Sequence, residues 1–302
     1  MIFRTEAEFE TAVIAALQNK GWESRILVYP TEEELIKNWA DILFENNRGI
    51  DRLNDAPLTS TEMQQIIEKV MALRTPLKLN GFINGKTVSI IRDNPKDPLH
   101  LGKEVSLKIY DRHEIAAGQS RYQIAQQPVF RSKSKILHDG RGDLILLING
   151  MPVILIELKK NGVPVSEAYG QIEKYSKNGI FSGIFSLVQI FVAMEPEEAV
   201  YFANPGSDGG FNPNYYFHWA DFNNEPLNHW RDVVAYLLSI PMAHQMIGFY
   251  TVADGADGVL KVMRSYQYYA ANEISDRVAK MNWEDKHRLG GYIWHTTGER
   301  VI

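Results

Sequence analysis

Apolar residues recur at helical spacing in the first part of the chain and as short continuous runs in its middle, which predicts an α/β protein. Phe9, Val13, Ala16 and Leu17 form one stripe over residues 6–20, and Gly21 stops that helix. A second helical stretch covers residues 32–46. Thr59-Ser60-Thr61-Glu62 opens a third, with a capping hydroxyl and a carboxylate in its first turn. Residues 78–130 alternate apolar runs with turn signals such as Asn80-Gly81 and Asn84-Gly85, so strands and hairpins are expected there. Apolar runs at 144–148 and 153–158 flank Asn149-Gly150, a strong hairpin signal. A helix over 166–177, strands over 187–194 and 199–203, and a helix over 227–238 complete the pattern. Residues 1–250 read as one domain and 251–258, with Asp254-Gly255-Ala256-Asp257-Gly258, as a linker to a further segment over 259–302.

Composition narrows the classes. The 302 residues are 45% hydrophobic and 23% charged, ordinary for a globular protein with a sizeable core. No cysteine is present, which excludes disulfides and thiolate metal sites. The start, Met1-Ile2-Phe3-Arg4-Thr5-Glu6, does not read as a signal peptide, and no apolar run approaches the ~20 residues of a membrane span. A cytoplasmic location and no membrane partner are therefore expected. Net charge is -5, which taken alone argues against nucleic acid. A local patch argues the other way: Arg131, Lys133, Lys135 and Arg141 fall within eleven residues. The eight histidines lack zinc-site spacing, His138 reads as a loop residue, and no G-x-S-x-G elbow occurs. Tyr215-Tyr216-Phe217-His218-Trp219 reads as packing or an interface rather than a base-stacking platform.

The hairpin carries the chemistry. Strand side chains alternate, so Glu157 and Lys159 share a face where a buried strand ends. A two-residue loop at Asn149-Gly150 would pair Asp143 with Ile156 and turn it away from Glu157. A three-residue loop reverses the parity: 149–151 sets Asp143 opposite Glu157, and 148–150 sets it diagonally on the same face. With such a loop, two carboxylates and a lysine converge. The carboxylates suit hard-oxygen ligation of Mg²⁺, and the lysine suits orientation of a water and offset of negative charge.

Gly142-Asp143, thirteen residues, then Glu157-Leu158-Lys159 resembles the PD-(D/E)xK nuclease signature, with glycine in place of proline. Gln171-Ile172-Glu173-Lys174-Tyr175 looks like the Q-x-x-x-Y motif of RecB-like nucleases and of the restriction subunit of type I restriction–modification enzymes. That resemblance implies a mixed central sheet flanked by helices, catalytic Asp143, Glu157 and Lys159, metal on Asp143 and Glu157, and Gln171 and Tyr175 lining the site and positioning DNA. Residues 6–22 resemble the family's opening helix, from which Glu10 or Glu6 would support the metal site. Gln126-Gln127-Pro128-Val129 is similar to the stretch before its hairpin. Residues 261–270 resemble the lead into its motor domain, where Gln267 would be an adenine-reading remnant. Gly291-Tyr292-Ile293-Trp294-His295-Thr296-Thr297-Gly298 resembles the first half of a P-loop, but Glu299-Arg300-Val301-Ile302 follows instead of Gly-Lys-Thr/Ser. No ATP hydrolysis is expected of this chain; ATP would belong to a full-length motor subunit. The resemblance implies double-stranded DNA as substrate and methyltransferase and specificity subunits as partners. A second reading is a DNA-binding or subunit-docking module whose nuclease site stays silent without them.

Overall fold

In the computed structural model, residues 2–115, 120–131, 140–206, 209–255 and 258–281 are described. Helix α1 (Glu6–Gln18) begins with a capping box in which the Thr5 hydroxyl accepts from the Glu8 amide and the Glu8 carboxylate accepts from the Thr5 amide. Strand β1 (Ile26–Val28) follows. Helices α2 (Glu32–Asn46) and α3 (Ser60–Ala72) use the same device, through Thr31 with Glu34 and Thr59 with Glu62. Helix α4 (Pro76–Asn84) stands where hairpins were expected. Thr75 caps it, Pro76 occupies a first-turn position that needs no amide, and Leu79 and Ile83 bury one turn apart. Asn80-Gly81 is therefore inside a helix. The expected hairpin comes next, as β2 (Thr87–Ile91) and β3 (Glu104–Lys108).

The strands that build the centre are β4 (Tyr122–Gln126), the short pair β5 (Val129–Phe130) and β6 (Gly140–Arg141), then β7 (Leu144–Ile148) and β8 (Met151–Leu158). Helix α5 (Val165–Lys177) leads to β9 (Ile190–Glu195) and β10 (Glu198–Ala203). Six strands make one sheet in the order β1-β4-β7-β8-β9-β10. β1 runs parallel to β4 and β8 parallel to β9, while the other neighbours are antiparallel. The sheet is mixed and helices flank it, as expected. Every residue of β7 and β8 is buried, so both faces of the central hairpin are covered, and its sequence is apolar for that reason but for the Asn149 turn and Glu157. A parallel β8–β9 pair needs a crossover, and α5 supplies it, packing on both strands.

The helix expected over 227–238 is shorter, α6 (Trp230–Tyr236), because Leu237 and Leu238 leave the helix to bury in the core. An unforeseen helix, α7 (Met242–Gly248), follows Pro241. The segment read as a linker begins in strand β11 (Thr251–Ala253), which pairs with β12 (Leu260–Val262). Helix α8 (Ser265–Ala279) then lies against the same core. Tyr268 packs 5.6 Å from Trp219 and 4.9 Å from Tyr250, and the Tyr201 hydroxyl of β10 donates to the Met263 carbonyl at 2.9 Å. The P-loop-like stretch over 291–298 lies outside the described residues. No helix among the described residues is long and apolar enough to cross a membrane.

Candidate active site

Asp143 and Glu157 meet, but not by the loop that was expected. Ile148 pairs directly with Met151, so the loop is the two residues Asn149 and Gly150, both at positive φ, 52° and 82°. That is the turn Asn-Gly favours, and Gly150 is further required because a Cβ there would lie 2.8 Å from the Trp39 backbone. The parity is restored further up. Leu147 pairs with Pro152 and Leu146 with Ile154, which leaves Val153 as an extra, bulged residue. Pro152 cannot donate to a ladder, and an irregularity beside it costs the sheet little. Beyond the bulge Leu144 opposes Ile156, and Asp143, one position earlier, comes to Glu157.

Each side chain is held from several directions. Asp143 Oδ2 accepts from the Leu158 amide at 2.6 Å, and its carbonyl accepts from the Gln127 amide at 2.7 Å. Gly142 before it touches the core: a Cβ would lie 2.9 Å from Phe130 Cζ and 3.2 Å from Leu155 Cδ1. Glu157 is fully buried in β8 opposite Ala193 of β9. Lys159 continues that strand, its amide donating to the Met194 carbonyl at 2.9 Å, and is 8% exposed. Gln171 and Tyr175, one turn apart on α5, lock onto these groups. Lys159 Nζ donates to Gln171 Oε1 at 2.9 Å, and Gln171 Nε2 donates to Glu157 Oε1 at 3.1 Å and to the Tyr175 hydroxyl. That hydroxyl donates to the Arg141 carbonyl at 2.6 Å and lies 3.3 Å from Glu157 Oε1. Phe130 backs the tyrosine edge-on, with ring centres 5.3 Å apart.

Helix α1 adds two acids. Glu6 Oε1 is 3.3 Å from Lys159 Nζ at the exposed rim. Glu10 is 4% exposed, and both Gln126 and Gln127 donate their side-chain amides to it, Gln127 at 3.2 Å to Oε2. Gln127 adopts φ 48°, which lets one residue hold Asp143 through its backbone and Glu10 through its side chain. Residues 126–127 had been noted only as a resemblance. Their clamp on Glu10 carries no sequence signal beyond the adjacency of two amides.

Burial sets the electrostatics of the two carboxyls. Burial pushes the Asp143 carboxyl up to about 6, against the pull of the Leu158 amide and the Lys159 charge. Complete burial raises Glu157 well above the usual carboxylate range, and the neighbouring Asp143 adds to it. Glu157 Oε2 is buried with no hydrogen-bond partner, and the Asp143 carboxyl lies near enough to raise Glu157 further. An orphaned carboxylate oxygen beside a second carboxylate fits Mg²⁺, which takes hard oxygen donors and fills its remaining positions with water and phosphate. Among the described residues no three His, Cys, Asp or Glu side chains cluster tightly enough to hold a metal by themselves. Asp143 and Glu157 would be the protein's direct share, with Glu10 behind them.

The other candidates lie elsewhere. Arg131 is engaged by Glu33 at 2.8 Å, and Arg141 lies over the Tyr29 ring at 5.0 Å. Lys133, Lys135 and His138 fall outside the described residues. Gln267 caps α8, its Oε1 accepting from the Arg264 amide at 2.9 Å, and takes no part in the network around Glu157. Of the aromatic run, Trp219 is buried and Tyr216 stacks on Phe202 at 3.9 Å, whereas Tyr215 is exposed.

Comparison with known proteins bears on this arrangement. Residues 3–209 match the family model described as type I restriction enzyme R protein N terminus. The chain is 30% identical over 300 residues to the type I restriction enzyme SsaAORF53P endonuclease subunit of Staphylococcus saprophyticus, covering 99% of this chain and 29% of that protein. It is 27% identical over 302 residues to the SauCOLORF180P endonuclease subunit of Staphylococcus aureus, with the same shares. It is 26% identical over 288 residues to the EcoprrI endonuclease subunit of Escherichia coli, covering 90% of this chain and 82% of that protein. The chain thus spans under a third of the staphylococcal relatives. With a family match across the helix of Glu10, the carboxylate hairpin and the helix of Gln171, the chain belongs to the N-terminal family of type I restriction enzyme R proteins.

Proposed function

We propose that this chain is the nuclease part of a type I restriction endonuclease subunit and hydrolyses phosphodiester bonds of double-stranded DNA with Mg²⁺ on Asp143 and Glu157. The observation that carries this reading is the fully buried Glu157 carboxyl, its Oε2 without a hydrogen-bond partner, beside Asp143 and Lys159. When bound, Mg²⁺ would polarise the phosphate and lower the pKa of a water. The Leu158 amide fixes the Asp143 carboxyl, and Gln171 and Tyr175 fix that of Glu157. Lys159, held by Gln171, keeps its ammonium at the mouth, where it orients a water and offsets charge that develops on phosphate. Gln171 and Tyr175 shape the rim on which DNA is positioned. Glu10 and Glu6 support the site, one behind Asp143 and one beside Lys159. In the whole subunit, ATP would serve a motor region, with Gln267 an adenine contact, and methyltransferase and specificity subunits would choose the target.

Plasmid cleavage with Mg²⁺, comparing the chain with Lys159→Ala and Asp143→Ala, tests the proposal. Nicking that both substitutions abolish supports it, and nicking that survives both overturns it. One alternative is a DNA-binding or subunit-docking module whose nuclease site stays silent without the motor and partner subunits. Mg²⁺ binding that Asp143→Ala removes, without any cleavage, would select that alternative.

A further inference from the structure

We infer that Arg141, presented on the ring of Tyr29, binds a backbone phosphate of the DNA a few nucleotides from the scissile bond at Glu157. This rests on the nuclease reading and adds to it a contact outside the carboxylate network.

The sheet places both residues at the reacting edge. Val28, Gln126, Leu144 and Ile156 stand in one row across β1, β4, β7 and β8. Their neighbours one step outward, Tyr29, Gln127, Asp143 and Glu157, therefore leave the sheet at the same edge. The Tyr29 amide donates to the Gln126 carbonyl at 2.9 Å and the Gln127 amide to the Asp143 carbonyl at 2.7 Å, which keeps them in line. With strands about 4.8 Å apart, Tyr29 stands roughly 10 Å from Asp143 and roughly 15 Å from Glu157. Arg141 spans that interval. Its carbonyl accepts from the Tyr175 hydroxyl at 2.6 Å, and Asp143 follows two positions on. Gly140 and Gly142 mark the side it turns from: a Cβ at the first would lie 4.0 Å from Tyr175 Cε1, and at the second 2.9 Å from Phe130 Cζ. Arg141, between them, projects to the opposite side, and its guanidinium lies 5.0 Å from the centre of the Tyr29 ring.

Tyr29 is held there under strain. Its φ is 53°, a region that bulky side chains avoid, and Pro30 after it favours extended backbone instead. Among the described residues it is the one aromatic at positive φ. Glycine would turn the chain without strain; tyrosine keeps a ring 49% exposed beneath the guanidinium. Strain of this kind beside a reaction centre points to a use outside the fold.

Charge gives the partner. Arg141 is exposed, and no carboxylate pairs with it among the described residues. The three acids that open α2, just after Pro30, are taken: Glu32 Oε1 by the Ile184 amide at 3.1 Å, Glu33 by Arg131 at 2.8 Å, and Glu34 by the Thr31 cap. A guanidinium held over a ring keeps its fork of donors free, and that fork matches the oxygens of a phosphate. Arginines over rings are common at surfaces, so the pairing alone marks nothing. At Arg141 it coincides with strain and with the reacting edge. Arg112, over Phe249 at 5.5 Å, has the same pairing three residues from Ile109, whose carbonyl holds Asn149 at the far turn, and is the control.

The test measures anisotropy of a short fluorescein-labelled duplex against salt, with Ca²⁺ replacing Mg²⁺ so that cleavage does not intervene, alongside thermal melting. Arg141→Ala should weaken duplex binding about tenfold and lower the slope of log affinity against log salt by about 1. Arg112→Ala should leave both unchanged. Tyr29→Phe should keep wild-type affinity. Tyr29→Gly should weaken binding about threefold with Tm no lower than the wild type, because the strain leaves with the ring. Unchanged affinity and slope in Arg141→Ala would overturn the inference and leave the nuclease reading standing. An equal loss in Arg112→Ala would reduce the effect to net charge and overturn it too. A Tyr29→Gly chain that melts lower would make the ring a packing group and overturn its part. A wild-type chain that binds no duplex would overturn the inference, and the nuclease reading falls with it only where Mg²⁺-dependent plasmid nicking is absent as well.

Discussion

The Asp143 carboxylate accepts the Leu158 amide at 2.6 Å, and this bond ties the start of β7 to the end of β8 where Glu157 and Lys159 emerge. The regular ladder between the strands ends at Leu144 and Ile156, so the side chain of Asp143 takes the place of the next backbone acceptor. One oxygen of Asp143 is thereby used by the fold. The Asp143 carboxyl also raises that of Glu157, which is fully buried and has one oxygen, Oε2, without a hydrogen-bond partner.

Mg²⁺ should therefore stabilise the protein as well as activate it. Glu157→Gln puts a neutral amide where a buried carboxyl lies beside Asp143. It should raise stability in the presence of a chelator by about 1–3 kcal/mol, the cost of an unsatisfied buried polar group. Thermal melting with and without Mg²⁺ reads both effects: Tm of the wild type rises with the metal, by mass action on the folded state, and that of Glu157→Gln stays put. A wild-type Tm that ignores millimolar-range Mg²⁺ would remove the cation site.

Gly142 stands where the PD-(D/E)xK signature carries proline, and packing accounts for it. A Cβ would lie 2.9 Å from Phe130, whose ring also supports Tyr175. Gly142→Ala should cost about 1–3 kcal/mol by overpacking, and Gly142→Pro more. Denaturant unfolding measures this. Wild-type stability in Gly142→Ala would mean that the aromatic yields freely and that packing does not choose glycine here.

Much of this site was legible because its side chains sit on regular elements. A buried strand ending in Glu157-Leu158-Lys159, and Gln171 and Tyr175 at helical spacing, announce themselves through periods of 2 and 3.6. The register was not legible. The loop has two residues, and Asp143 reaches Glu157 only because Val153 bulges, a shift that Pro152 permits but does not dictate. Nor was the clamp on Glu10, which depends on the φ of Gln127. Outside the site, Asn80-Gly81 misled because turn residues lose to a capped helix with Leu79 and Ile83 to bury.

Gln171 joins the base of the site to its lysine, accepting from Lys159 and donating to Glu157 and Tyr175. Its removal leaves the ammonium with Glu6 and Glu157 Oε1 with the tyrosine. Gln171→Ala should reduce Mg²⁺ affinity or cleavage about 10- to 100-fold, the usual cost of losing a group that orients a ligand. Tyr175→Phe should cost less, since Gln171 still holds Glu157. Calorimetric Mg²⁺ titration beside the cleavage rate separates the two roles. An equal loss in both variants would show that the hydroxyl, not the amide, holds the carboxylate.

Away from the site, His244 gives the fold a pH limit. It lies in α7, fully buried, with Nδ1 3.0 Å from the Tyr122 hydroxyl, Nε2 3.1 Å from the Asp111 carbonyl, and its ring stacked on Tyr110 at 4.6 Å. A carbonyl can only accept, so Nε2 carries the hydrogen and Nδ1 accepts from the tyrosine. Burial lowers its pKa from 6.5 to about 4. Between those values the unfolded chain binds the proton and the folded one does not. Stability is therefore whole above 6.5 and falls as pH drops toward 4, by up to about 3 kcal/mol. His244→Gln keeps a donor and an acceptor but cannot titrate. It should start less stable at pH 7, having lost the stacked ring, and then lose less than the wild type on acidification to pH 4.5. Urea unfolding of both proteins across that range checks the slope. Parallel curves would place the acid sensitivity in the carboxylates and leave His244 a packing residue only.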